Sequence, residues 1–414
     1  MTCPTCGRAI TFDPRFVRWC EFCEWNLDPS DTPVSARQTR RQEAAKRKGE
    51  ALFNELRQKP LSKPGQSRAR AAAMAIAAAI HAVTLTIFLA GIYVLVLNFP
   101  TFFGFLVGGL LIVIAILIRP RLGGVESGTV IMPAESAPAL YRLTEQIARE
   151  IGSRPVHLIA LDETFNAGHG QVGIQRRRML WIGLPLWNVL TDEQRIGLLS
   201  HELAHQVNGD LAFGLVVGSA LRTLESWSRT LRPGPWQPGG GDIFSFLESL
   251  GQLVARGLYR VLRTVVDLLY TTEESLLFAS QQRAEYYADR VATRVASTQA
   301  VIDCLDVLHL SRPCILAMHY AAQREEADMW ASEQSFMREF SAKEWERLRR
   351  LDARRGTAID STHPPTNLRV EMLKSAPEVP ARVILTASEW AAIADEMSSG
   401  FVLVGDRITS RSAG

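Results

Sequence analysis

A chain of 414 residues with 47% hydrophobic content is long enough for two or more structural units with sizeable cores. Its formal net charge is only +3, yet eleven Lys and Arg face three Glu between Arg37 and Arg70, which leaves the remainder mildly acidic. This is a basic segment and not a basic protein, and it lacks the interleaved aromatics that would argue for nucleic-acid binding.

The first pattern in the chain is Cys3-x-x-Cys6 followed by Cys20-x-x-Cys23. Two such pairs can set four thiolates tetrahedrally around one structural zinc and so order a loop-rich segment too small for a core of its own. Residues 1–36 are therefore expected to form a zinc ribbon, a module that assigns no activity by itself and whose partner cannot be read. A disulfide framework needs an oxidising compartment, and the charge pattern described below argues against one. Cys304 and Cys314 flank an apolar stretch and read as buried free thiols.

Residues 37–70 read as a basic linker, a polar helix or arm. Its charge suits a solvated segment beside a membrane, or one attracted to anionic lipid headgroups. No apolar stretch of signal-peptide length occurs in the first 70 residues, so a cleaved secretory signal is not expected.

From Ala71 to Ile118 there is no Asp, Glu, Lys or Arg. Broken at "NFPT", the run suits two spans of about 20 residues each, and it shows no polar face to put in water. Residues 71–120 are expected to be a two-helix transmembrane hairpin. Arg68 and Arg70 precede it and Arg119 and Arg121 follow it, which places both flanks on the cytoplasmic side of the cell (inner) membrane. His81, inside the first span, reads as a neutral hydrogen-bonded histidine outside any mechanism.

Residues 121–375 return to the composition of an α-rich domain. "SAPALYRLTEQIAREIG" carries Leu140, Leu143, Ile147 and Ile151 at helical spacing, with Gly152 as the stop. "PVHLIALD" and "RMLWIGLPL" read as short strands on either side of a connecting segment. Thr191 and Gln194 then form a capping box that starts a helix through "LLSHELAHQ". Four residues apart on that helix, His201 and His205 point the same way and can share an ion. Glu202 beside them can work as a base without being a ligand, which is the H-E-x-x-H arrangement of zinc peptidases.

A catalytic zinc takes a third protein ligand. Glu225 and Glu285 compete for the place. A ligand Glu of the thermolysin type has an Asp four residues on that orients the first histidine; position 229 is Arg, whereas position 289 is Asp. Glu285 is the expected ligand, with Asp289 as its neighbour on the same helical face, and Glu225 is left as a surface carboxylate. The longer metzincin pattern fails at Asn208 and Leu211. Between residues 210 and 270 the apolar runs are interrupted by Arg222, Arg256, Arg260, Arg263 and Asp267. Further complete spans are not expected there, and the amphipathic helices are expected to pack on the α-rich domain. Residues 376–414 read as a C-terminal tail with a short helix capped by Thr386 and Glu389.

Together "SHELAHQVNGD", "AEYYADR" and "STHPPTNLR" resemble the membrane-linked gluzincin family that contains HtpX and the type I CAAX prenyl endopeptidases. The likeness runs from about Ser136 to Lys374. It implies a mostly α (α+β) zinc endopeptidase with a small edge sheet. It also implies substrate contact by Asn166, in the "FNAG" that matches the family's Asn-Ala motif, although Gly168 stands where relatives carry Phe. His363 and Arg369 match its His-Pro-Pro-Thr segment.

The expected chemistry uses one catalytic zinc on His201, His205 and Glu285, with Glu202 as proton carrier. Tyr286, His363 and Arg369 are candidates to face the developing negative charge. His363 is favoured as the donor, and Arg369 as a residue that fixes the loop or binds substrate. His363 has a second reading, as a resting-state zinc ligand. The expected partners are a protein or peptide substrate and membrane lipid, in quality control or processing of membrane proteins. Two other classes remain, a catalytically silent membrane adaptor built around the ribbon and a hydrolase of non-peptide bonds.

Overall fold

A computed structural model describes residues 1–29, 36–58, 68–119, 129–173, 175–207, 210–232, 243–324, 326, 328–355 and 364–412. In chain order its elements are α1 (Ala36–Arg57), α2 (Arg68–Leu97), α3 (Phe102–Leu117), β1 (Val130–Met132), α4 (Pro138–Ile151), β2 (Leu158–Asp162), β3 (Ala167–Val172) and β4 (Arg177–Gly183). There follow α5 (Leu184–Val189), α6 (Asp192–Val207), α7 (Asp210–Thr230), α8 (Ile243–Ala292), α9 (Thr298–Val307), α10 (Ser311–Gln323), α11 (Met329–Arg338), α12 (Ala342–Arg355), α13 (Thr366–Lys374) and α14 (Ala387–Ser412). The fold is mostly helical with one small sheet, as expected. It divides into two compact units, residues 1–64, 125–209 and 281–414 in the first, residues 65–124 and 210–280 in the second.

The sheet of the first unit has the order β1-β2-β4-β3, antiparallel at both ends and parallel in the middle. Alternation sends Ile159, Leu161, Leu180 and Ile182 to one face, where they are buried against α4, α6 and α14. β1 and β3 are additions to the two strands legible in the sequence. The glycines that make residues 167–172 look like a loop have a packing reason. A Cβ at Gly168 would lie 2.2 Å from Trp181 Nε1, and one at Gly170 would lie 2.8 Å from Trp181 Cη2, so the indole occupies the space that side chains would fill.

α4 buries Leu140, Leu143 and Ile147 and ends at Gly152, whose φ of 71° is the left-handed cap conformation. No side chain at its own start caps it. The Glu396 carboxylate on α14 instead accepts from the N–H groups of Ala139 (2.7 Å) and Leu140 (3.0 Å). The expected tail is thus a 26-residue helix of the core, started by the Thr386–Glu389 capping box and burying Trp390, Ile393, Met397, Val404 and Ile408. Those positions form a helical stripe, which a reading in search of chemistry passes over.

The N-terminal segment expected to form a ribbon belongs to this same unit. Lys343, Arg347 and Arg350 on α12 donate to the carbonyls of Thr11 (2.6 Å), Leu27 (2.7 Å) and Glu21 (2.6 Å), and Phe16 packs edge-on against Phe340 at 4.9 Å. The end of α1, in the expected linker, is also anchored. Phe53 is buried with Tyr286 and Met372, and Glu55 pairs with Arg283 at 2.7 Å.

In the second unit α2 and α3 form a hairpin whose backbones meet at two glycines. A Cβ on Gly91 would lie 3.0 Å from the Gly108 carbonyl, and one on Gly108 would lie 2.6 Å from Leu95. α7 lays Phe213, Val217, Ala220 and Leu224 against Ala73, Ala77 and Ile80 of α2, and Val266 of α8 joins them. This corrects the expectation for residues 210–270, which group with the hairpin and not with the domain that carries the H-E-x-x-H helix. The reason is that a small-residue face on α2 fits the apolar stripe of α7.

His81 is hydrogen-bonded, its Nε2 lying 3.0 Å from Ser219 Oγ. Among the described residues α2 is long and apolar enough to cross a membrane, while the 16-residue α3 is shorter than such a span. Leu85, Leu89, Tyr93 and Val96 of α2 are exposed, as are Leu110 and Leu117 of α3 and Leu258, Val261 and Leu268 of α8.

Candidate metal centre

Three elements of the first unit converge behind β3. α6 brings His201, Glu202 and His205, the end of α8 brings Glu285 and Asp289, and α13 brings Arg369; all six side chains are buried. The His201 and His205 Nε2 atoms lie 3.2 Å apart. Each is 3.3 Å from a Glu285 carboxylate oxygen. Ligands about 2.0 Å from a tetrahedral zinc stand about 3.3 Å from one another; His201 reaches Oε2 and His205 reaches Oε1 of the carboxylate, so the two imidazoles and the carboxylate are spaced as ligands of one ion.

The tautomer agrees. His201 Nδ1 lies 2.9 Å from Asp289 Oδ1. A proton held there leaves the Nε2 lone pair facing the other two donors. The chemistry of the donor set, two imidazoles and one carboxylate, also fits zinc.

Asp289 is held in turn by Arg369, whose Nε and Nη2 donate to its two oxygens at 2.8 and 2.6 Å. Burial alone would raise the Asp289 pKa, but the charge and hydrogen bonds of Arg369 prevail and keep it at about 2. Glu202 is likewise buried, which disfavours its charge, yet the hydrogen bond from His169 and the charge of His201 bring its carboxyl below the usual range.

His169, on β3, is the residue that sequence reading missed. Its Nδ1 lies 3.0 Å from Glu202 Oε2, and its ring stacks on that of His205 at 4.7 Å and 11°. His169, Glu202 and His205 have ligand atoms within 4.8 Å of one another. The two rings are nearly parallel, however, so their in-plane lone pairs do not converge on one ion.

A cavity of about 100 Å³ lies beside His201 and Glu202, walled by Phe165, Leu198, Val301, Cys304, Leu305 and Leu308. Asn166, immediately before β3, lines it too, and its carbonyl accepts from the Gly183 N–H at 2.9 Å. Cys304 and Cys314 are buried free thiols, and burial pushes Cys304 up to about 12. Tyr286 departs from its expected place. Next to Glu285 on the helix, it is turned about 100° away and packs with Phe53 and Met372 outside the cavity lining. His363 lies outside the described residues. Glu225 is an exposed partner of Arg229 at 3.5 Å.

At the N-terminus the two CxxC turns have the same backbone form. The N–H of Gly7 returns to the Cys3 carbonyl and that of Glu24 to the Cys20 carbonyl, both at 2.9 Å, with φ of 72° and 57°. The four sulfurs lie within 4.8 Å of one another, with Cys3 to Cys23 at 3.6 Å and Cys6 to Cys20 at 3.7 Å. Thiolates on one tetrahedral zinc stand about 3.8 Å apart, whereas a disulfide would bring two sulfurs to about 2.05 Å. A backbone N–H from Cys23 aimed at the Cys20 sulfur helps to lower that thiol to about 6.

This helical fold around an H-E-x-x-H helix has the donor set of a metallopeptidase. The family model for peptidase family M48 matches residues 136–376, and the chain belongs to that family, whose members are zinc metalloproteases. The chain is 29% identical over 195 residues to the "Protease HtpX homolog 1" of Sulfurisphaera tokodaii, covering 46% of this chain and 63% of that protein. It is 24% identical over 182 residues to the "Protease HtpX homolog" of Aquifex aeolicus, covering 40% of this chain and 53% of that protein. The resemblance to the HtpX type is thus borne out, over less than two thirds of either relative's length. No solved structure matches the chain.

Proposed function

We propose that the chain is a membrane-anchored zinc endopeptidase. The observation that carries this reading is the grouping of His201 Nε2, His205 Nε2 and the two Glu285 carboxylate oxygens, at 3.2 to 3.3 Å from one residue to the next, beside the buried Glu202. A zinc ion held there supplies a Lewis acid that acidifies water and polarises a carbonyl.

The chain's own groups do the rest. Glu202 takes the proton of the attacking water and passes it to the leaving amine. Asp289 keeps the His201 imidazole in the ligating tautomer, and Arg369 holds Asp289 in place as a positioning residue. β3 is the last strand of its sheet among the described residues, so its outer edge offers backbone N–H and C=O groups to an extended peptide, with Asn166 at its start. The apolar cavity beside His201 suits one apolar side chain of that peptide. His363 is retained as donor to the developing negative charge on its match to the His-Pro-Pro-Thr segment.

The four N-terminal cysteines are proposed to hold a second, structural zinc. The apolar exposure of α2, α3 and α8 supports a membrane location, and the flanking arginines support a cytoplasmic orientation for both ends of the hairpin. Protein substrates in or near the membrane follow from that placement. The presence of every expected ligand counts against a silent adaptor.

The test is cleavage of casein by the detergent-purified full chain beside Glu202→Gln, with zinc content equal in the two. Wild type is expected to cut and the variant to lose at least about 100-fold in rate. Equal cutting by both would refute the role of Glu202.

A further inference from the structure

We infer that His169 is a positioning residue for Glu202, fixing which carboxylate oxygen faces the reaction. The inference rests on the reading of Glu202 as the base.

The route to it starts on the other side of the strand. Gly168 and Gly170 face Trp181, whose indole lies where their side chains would be. Strand alternation then sends His169 to the opposite face, toward α6. There its Nδ1 lies 3.0 Å from Glu202 Oε2 and its ring stacks on His205 at 4.7 Å. The ring is thus held on one side by a ligand imidazole and at its edge by the carboxylate.

A glutamate on a helix can turn about three side-chain bonds, and a base that wanders spends little time aimed at its proton. A hydrogen bond donated by His169 ties down Oε2 and leaves Oε1 as the oxygen available to the water. Metal ligation by His169 is the lesser alternative, because its ring is parallel to that of His205 within 11° and the two lone pairs cannot meet at one ion.

Two substitutions separate the hydrogen bond from the stacking. His169→Phe keeps a flat ring against His205 and removes the donor, while His169→Asn places an amide nitrogen close to the Nδ1 position. With a peptide substrate, His169→Phe is expected to lower kcat about 10- to 100-fold with KM within about twofold and zinc content unchanged, and His169→Asn to recover most of the loss. Wild-type kcat in His169→Phe, or equal loss in both variants, overturns the inference.

A second readout does not depend on cleavage. In the full chain carrying 15N-labelled histidine rings, one protected Nδ1–H resonance should vanish in His169→Phe and shift in Glu202→Gln. Its absence from the wild type overturns the inference even if casein is cut. Its presence in a chain that cuts nothing preserves the contact, while the peptidase reading fails on its own.

Discussion

Asp289 faces two groups at once, His201 Nδ1 at 2.9 Å and the Arg369 guanidinium at 2.6 and 2.8 Å. Asp289→Asn keeps the shape but leaves Arg369 buried with its charge less compensated and the His201 tautomer less firmly set. The expected outcome is a roughly 10- to 100-fold weaker hold on one zinc, read by chelator competition on the full chain. Glu333 of α11 makes a different point. Burial raises its pKa to about 8, although Asn188 Nδ2 donates to it at 2.9 Å. The unfolded chain ionises this group from its ordinary value of 4.5 upward while the folded chain keeps it neutral, so stability falls as pH rises from there and levels off above about 8. Thermal melts of Glu333→Gln should match wild type near pH 4 and gain on it steadily to pH 8, by on the order of 5 kcal/mol. A gain that is constant with pH would contradict the assignment. The candidate metal ligands and Asp289 were legible because helix geometry turns residue spacing directly into direction: His201 with His205, and Glu285 with Asp289, each sit four apart. His169 had no such signal, because its nearness to Glu202 comes from where an edge strand lands.

At the scale of elements, α14 shows what a pattern without chemistry conceals. Its stripe of Trp390, Ile393, Met397, Val404 and Ile408 is periodic in the sequence, yet periodicity names no partner, and the partners turn out to be α4, α10 and the inner face of the sheet. Gly400 marks the closest approach, since a Cβ there would lie 2.3 Å from Cδ1 of the fully buried Leu161. Gly400→Leu should therefore cost about 3 kcal/mol of stability. Ser399→Leu, at the exposed neighbouring position, should stay within about 0.5 kcal/mol. Comparable melting of the two variants would mean that α14 does not press on β2. α7 and α8 make the same case in the second unit. Their apolar stripes were visible, but a stripe fits protein or lipid equally well, and only the small residues on α2 decide for α7. β3 was hidden for the reverse reason, because its glycines suit the Trp181 indole and weaken the strand signal.

Across the whole molecule the two units are both discontinuous in the chain, and the second is inserted twice into the first. Composition separated the uncharged run from the rest, but nothing in a one-dimensional pattern announces that residues 210–280 rejoin it. This interleaving gives meaning to the Glu396 contact. The α2–α3 hairpin is contiguous, so all its residues have left the ribosome once Leu117 has emerged. The start of α4 must wait for Glu396, and the inner face of β2 must wait for Gly400, more than 200 residues after each is made. Synthesis therefore runs in an enforced order: the apolar hairpin is complete early, while the core behind the H-E-x-x-H helix closes only after α14 has emerged. A nascent chain of this protein completes its apolar hairpin before it completes the core that carries His201, Glu202 and His205.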